Sequence, residues 1–193
     1  MLLQSIISPL KQFKKELINN YSSRKTRVKY CGSYVFAPAS SFLLKKLKLD
    51  GSYEEDNVNL ICSILNKGSS YCFDIGANIG LIAIPILHNC PNCKVISFEP
   101  SPNSLSYLQE TLSKSCYKER WSVVDQAVTN EITTREFALA SPTMGAYDGF
   151  IDTKRRPIEK TITISTTTID EQWERLEKPK IGVIKIDVEG AEL

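Results

Sequence analysis

Apolar positions along the chain fall into two kinds of pattern, short unbroken runs and longer stretches with helical spacing. SYCFDIG, residues 70–76, is a short apolar run that predicts a buried strand. NIGLIAIPILHN, residues 78–89, reads as a buried helix that Pro85 should kink or shorten at its middle. CKVISFEP, residues 93–100, predicts a second strand, and SPNSLSYLQETLSKS, residues 101–115, a helix opened by a serine cap and a proline. WSVVDQAVT, residues 121–129, predicts a third strand and REFALAS, residues 135–141, a fourth. KTITISTTTIDEQ alternates as a strand does and runs into the short helix DEQWERLE. KIGVIKIDVEG, residues 180–190, is an almost continuous apolar run that ends in acids.

Upstream, VKYCGSYVFAP predicts a short strand or hairpin, and residues 41–68 read as helical material broken at the turn pair Asp50-Gly51. Apolar strands alternating with helices predict an α/β fold, a doubly wound and mostly parallel sheet with helices on both faces. Such a sheet binds its ligands beyond the carboxyl ends of its strands.

Charge changes the picture at the front of the chain. The formal net charge is +2, but residues 1–30 hold seven Lys or Arg against one acid, which leaves the remainder at −4. Leu3, Ile6, Ile7, Leu10, Phe13, Leu17 and Ile18 recur at helical spacing opposite Lys11, Lys14 and Lys15, which predicts a basic amphipathic helix in a separate extension, residues 1–30. Packing on the main domain, residues 31–193, is its expected use; contact with an anionic membrane surface is the less favoured one. Nothing interleaves aromatic and base-reading side chains, so nucleic acid is not an expected partner.

Composition adds limits. No run of about 18 apolar residues predicts a membrane span, and the first ten residues lack a secretory pattern, which predicts a cytoplasmic protein. The six cysteines then read as free thiols, including Cys90 and Cys93 in HNCPNC. His88 is the only histidine, and it stands at the far end of its helix from the strand tips. The turn-rich residues 141–160 offer Tyr147 and Phe150 for a ring and Lys154, Arg155 and Arg156 for an anionic group, or else form a solvated loop.

Candidate chemistry gathers at FDIGANIG, residues 73–80. Gly76 and Gly80 let backbone approach a ligand and let the following helix approach the strand. The pattern D-x-G-x-N-x-G, with Asn78 where a dinucleotide fingerprint has its second glycine, is not G-x-G-x-x-G. Asp74 at the strand end repels a pyrophosphate and attracts a cation. Glu99 ends the next strand, where a carboxylate accepts both hydroxyls of a ribose. A positively charged ribonucleoside without phosphates satisfies both conditions, and S-adenosylmethionine is one. Asp125 or Gln126, after the third strand, is placed to accept from an adenine amine, with Pro100 and Ser101 beside the ring.

FDIGANIG, ISFEPSPNSLSYLQETL, DQAVT, TTTIDEQ and IKIDVEGAE, taken in order, resemble the successive blocks of the FkbM-type S-adenosylmethionine-dependent O-methyltransferases. That resemblance runs from Tyr71 to Leu193. It implies the Rossmann-like class I methyltransferase fold and methyl transfer to a hydroxyl of a small acceptor such as a sugar or glycolipid. Position by position, it implies Asp74, Gly76, Asn78, Gly80 and Glu99 along the cofactor, Asp125 or Gln126 near the adenine, and Lys185, Asp187 and Glu189 at the reaction centre.

A hydroxyl needs its proton removed as it attacks, so Asp187 is the expected base or orienting group and Lys185 the stabiliser of developing oxygen charge. Glu192, and Glu189 in an alternative reading, would cap a following helix. Two carboxylates are too few for a magnesium site, and no metal is expected. The fold class runs past the last strand block, so the chain reads as a fragment with its carboxyl-terminal strands missing. A silent cofactor-binding or interaction module is therefore the alternative function, with a nicotinamide-dependent oxidoreductase behind it.

Overall fold

The computed structural model describes residues 24–68, 70–141, 147–150 and 158–188. The amphipathic segment, Lys154 to Arg156, Glu189 and Glu192 lie outside the described residues.

β1 (Lys25–Tyr30) and β2 (Ser33–Pro38) form an antiparallel hairpin with Tyr30 opposite Ser33. α1 (Phe42–Asp50) starts at Ser41, whose hydroxyl accepts from the Leu44 amide, and stops at Gly51. α2 (Glu55–Leu65) turns Val58, Ile61, Cys62 and Leu65 inward. The Asp50-Gly51 break therefore falls between two helices as the turn pair predicts.

The strands β3 (Tyr71–Ile75), β4 (Lys94–Phe98), β5 (Trp121–Val124) and β9 (Ile181–Ile186) form one sheet in the order β5-β4-β3-β9, all parallel. The expected parallel α/β sheet is present. The chain runs from β3 outward to β5, then returns to add β9 on the other side of β3, so the strand order reverses beside β3. In an open parallel sheet that reversal opens a crevice at the carboxyl ends of the strands.

Side-chain alternation along each strand divides the core. Cys72 and Val95 face α2, α3 (Ala83–Asn89) and α4 (Pro102–Lys114), together with Leu44, Ile84, Leu87 and Leu108. Phe73, Ile75, Ile96 and Phe98 face the opposite side, where Val128, Ile169, Leu176 and Val188 cover them. The Phe73 and Phe98 rings lie 5.4 Å apart in a tilted pair. No described helix is long and apolar enough to cross a membrane.

Two expectations need correction. The predicted third strand is two strands: β5 ends at Val124, and β6 (Ala127–Val128) belongs to a second sheet, of order β6-β8-β7. In that sheet β8 (Lys160–Thr167) pairs in parallel with β6 and antiparallel with β7 (Thr134–Leu139). An unbroken apolar run does not reveal where a chain changes sheets, because both sheets want the same residues. The helix after β3 is also shorter than its pattern. Residues 78–82 are turns, and α3 starts at Ala83, so Pro85 stands in the first turn, where an amide would have little to bond. α5 (Ile169–Arg175) follows β8 directly and is capped by the Thr168 hydroxyl, which accepts from the Glu171 amide at 3.1 Å.

Candidate active site

The crevice is an open cleft lined by Ile75, Gly76, Asn78, Phe98, Glu99 and Gln126. Phe137, Asp148, Phe150, Asp187 and Val188 stand around it. The lining holds three carboxylates and, among the described residues, no Lys or Arg.

The glycine turn is tied to the neighbouring strand rather than open. The amides of Gly76 and Ala77 both donate to the Phe98 carbonyl at 3.0 Å, and the Asn78 amide donates to Glu99 Oε2 at 2.8 Å. Asn78 makes that bond from a left-handed conformation, φ 51°. Three consecutive amides are thereby taken and cannot cradle a phosphate. Gly76 is held tightly: a β-carbon there would stand 2.0 Å from the Asp187 carbonyl oxygen. Gly80 serves packing, since its β-carbon would meet the Trp121 ring at 2.7 Å. Of the two uses expected for these glycines, close helix and strand packing is the one Gly80 fills.

Asp74 is fully buried, and Lys185 Nζ lies 3.0 Å from its Oδ1. Among the described residues no other side chain pairs with the Asp74 carboxylate, so Lys185 alone offsets its buried charge, chiefly by charge attraction. The same ammonium donates to the carbonyls of Gly76 at 3.1 Å and Ile75 at 3.4 Å and stands 3.8 Å from Asp187 Oδ2. Burial pulls the Lys185 pKa down, but the Asp74 carboxylate outweighs it and the net direction is up. Lys185 is thus the internal counterion of Asp74 and a clamp on the turn. It also lines a second groove together with Asp187, the residue expected to orient the acceptor hydroxyl.

Glu99 is buried and accepts from two amides, Asn78 at Oε2 and Ser101 at Oε1, each at 2.8 Å. Burial pushes its pKa up to about 7, the two amides oppose that, and the carboxylates of Asp148 and Asp74 add to it. Each Glu99 oxygen keeps a second lone pair for a ligand hydroxyl.

Gln126 lines the cleft, whereas Asp125 is exposed and outside the lining. The change of sheets between β5 and β6 turns one of these neighbours inward and the other to solvent. Asp187 is exposed where the cleft meets a second, open groove between α2 and β9, lined by Glu54, Asn57, Leu60 and Ile61. Glu189 lies outside the described residues.

Asp148 and Phe137 are among the cleft residues that escaped the sequence reading. Asp148 precedes a glycine in turn-rich sequence and looks like an ordinary turn acid. It is buried because Gly149 pairs with Ala138 through two backbone hydrogen bonds of 2.8 and 3.1 Å, and the Phe150 ring meets Phe137 edge-on at 5.6 Å. Alternation along REFALAS was the one available signal for Phe137.

HNCPNC sits at the other end of the sheet. Arg120 donates there to the carbonyls of Leu87, Cys90 and Cys93, and His88 Nδ1 meets the Tyr117 hydroxyl at 2.8 Å. Burial pushes the thiols up, Cys90 to about 12 and Cys93 to about 11, so both stay protonated and unreactive. All six cysteines are free, and no described group of three or more His, Cys, Asp or Glu is arranged to hold a metal.

The family model described as Methyltransferase FkbM domain matches residues 74–193, more than half of the chain. The search of curated proteins found no match to the chain.

Proposed function

Because the chain belongs to the methyltransferase FkbM domain family, we propose that it transfers a methyl group from S-adenosylmethionine to a hydroxyl of a small acceptor such as a sugar or glycolipid. One observation carries the choice of donor: the cleft is lined by Glu99, Asp148 and Asp187 without a basic residue, and the amides of Gly76, Ala77 and Asn78 in its glycine turn are already bonded within the protein. Such a cleft disfavours phosphates and favours a cationic nucleoside. The same observation counts against a nicotinamide dinucleotide.

The bound donor supplies an electrophilic methyl group on a sulfonium. Glu99 receives the ribose hydroxyls, while Phe98, Phe137, Phe150 and Val128 offer apolar walls and Gln126 a hydrogen-bonding edge for the base. Asp187, shared by cleft and groove, orients the acceptor hydroxyl and takes its proton as the bond forms. Lys185 and Asp74 keep the turn rigid beneath it.

Isothermal titration with S-adenosylmethionine and with NAD tests this reading, followed by transfer of a labelled methyl group to candidate sugars. Saturable binding of NAD but not of the methyl donor would sink it. Donor binding without any turnover would favour the alternative, a cofactor-binding module without catalysis. Glu99→Ala should weaken donor binding by about 1.5–3 kcal/mol, the range for hydrogen bonds to a charged group; unchanged affinity removes Glu99 from the ribose. Asp187→Asn should lower turnover much more than donor affinity, and equal losses would make it a donor contact instead.

The Glu99 pKa also makes binding depend on pH. A ligand that donates to the carboxylate favours its ionised form, so affinity should rise as pH rises through about 7. Below that pH a proton should leave on binding, which titration in two buffers of different ionisation heat will count. Stability has the opposite sign. The folded chain keeps a proton that the unfolded chain releases between pH of about 4.5 and about 7, so the Glu99 contribution falls as pH rises through that window.

A further inference from the structure

Asp148 is the second buried carboxylate of the cleft, and its partners tie it to the first. It accepts from the Ser101 hydroxyl, from Asn103 Nδ2 at 3.0 Å and from the Ala140 amide at 2.6 Å. Ser101 caps α4, and its oxygen accepts from the Asn103 amide at 3.1 Å. With the hydroxyl proton committed to Asp148, the lone pairs of that oxygen are left facing the helix. The Ser101 amide donates to Glu99 Oε1. Glu99 is thus held at one oxygen by the turn after β3 and at the other by the α4 cap, and Asp148 pins that cap to the end of β7.

We propose that Asp148 is a positioning residue of this site, acting through Ser101 on Glu99 to fix the carboxylate that receives the donor's ribose hydroxyls. The assignment rests on the donor reading above. A neutral side chain would anchor the 147–150 segment at less cost, since burying a second negative charge beside Glu99 is unfavourable. The charge has two effects a neutral anchor would lack. It orients the Ser101 hydroxyl, and it raises the affinity of Glu99 for a proton. Among the described residues the other groups facing Glu99 are Asp74 from β3 and the amides of Asn78 and Ser101. Lys185 is engaged with Asp74, and Asp187 shares the cleft lining.

The experiment compares wild type with Asp148→Asn and Ser101→Ala, each first shown to be folded by thermal unfolding. The Glu99 carboxyl carbon is titrated by NMR in protein labelled with 13C-glutamate, its signal assigned by its loss in Glu99→Gln. Asp148→Asn should lower the Glu99 midpoint by about one pH unit, a tenfold change in proton affinity. Binding of S-adenosylhomocysteine and of its 2′-deoxy analogue is then measured. Wild type should prefer the ribose form by about tenfold or more, the worth of one hydrogen bond to a charged group. In both variants that ratio should shrink toward one.

A residue that only anchored the segment would weaken both ligands alike and leave the midpoint in place; that result in the folded variants overturns the proposal. If Asp148→Asn does not fold, Ser101→Ala, which keeps the carboxylate and removes only the hydroxyl, carries the ratio test. If wild type binds neither nucleoside, the donor reading fails. The Glu99 midpoint alone then decides whether Asp148 acts on Glu99.

Discussion

Replacing Lys185 by methionine should lower the folding free energy by about 3–5 kcal/mol, the usual cost of removing one partner from a buried ion pair. Asp74 is fully buried and its ammonium partner is only 13% exposed, so water cannot take over the lost interaction. No other described cation reaches that carboxylate. The loss also frees the carbonyls of Ile75 and Gly76, which the ammonium holds in the shape that the cleft requires. Urea unfolding monitored by Trp121, whose ring packs against Gly80 in the same turn, measures it directly. The double variant Asp74→Asn, Lys185→Met should recover much of the loss, because no buried charge is then left unpaired. If the single variant unfolds at the same urea concentration as wild type, the pair does not carry the turn.

Gly76→Ala should be nearly as costly, for two separable reasons. A left-handed conformation at φ 77° costs an alanine about 1–2 kcal/mol. The methyl would then lie 2.0 Å from the Asp187 carbonyl oxygen, and pushing β9 away adds about 1–3 kcal/mol by overpacking. Gly51 supplies the control, with φ 76° and no atom within 4 Å of an added β-carbon. Gly51→Ala should show the conformational cost alone. The difference between the two variants measures how tightly the turn is seated on β9. Equal losses would mean that β9 yields, and that the contact between turn and strand is looser than the geometry indicates. Donor binding should suffer in Gly76→Ala even where enough protein remains folded to titrate, since the turn that lines the donor cleft must move.

These variants probe contacts that join residues far apart in the chain, and that distance separates what could be read beforehand from what could not. The strand, turn and helix at residues 71–89, the strand that ends at Glu99 and the Ser101-Pro102 helix start were all legible. Each is announced within a few residues, by an apolar run, a glycine, a capping hydroxyl or a fixed φ. Glu99 was legible for a related reason: a strand of known direction places its last side chain at the ligand edge of the sheet. The start of α3 was misplaced because apolar periodicity continues through the turns at 78–82 and does not distinguish a tight turn from the first turn of a helix.

Other features had no local mark. Asp125 and Gln126 are neighbours of similar hydrogen-bonding ability, and only the departure of the chain from one sheet into another sends Gln126 inward. Asp148 carries the composition of a surface turn, and its burial depends on Gly149 finding the edge of β7. Lys185 projects from an apolar strand as a catalytic lysine would, and only the pairing of β9 with β3 brings it to Asp74.

The amino-acid sequence by itself determined the alternation of strands and helices, the glycine turn and the acid at the end of β4, because these follow from side-chain periodicity and turn chemistry within short windows. Only the tertiary structure decided that Asp74 is neutralised from within, that the amides of Gly76, Ala77 and Asn78 are already spent, and that Asp148 stands beside Glu99. Those are consequences of strand order and register, through which a hydrogen bond or ion pair forms between segments that carry no local sign of each other.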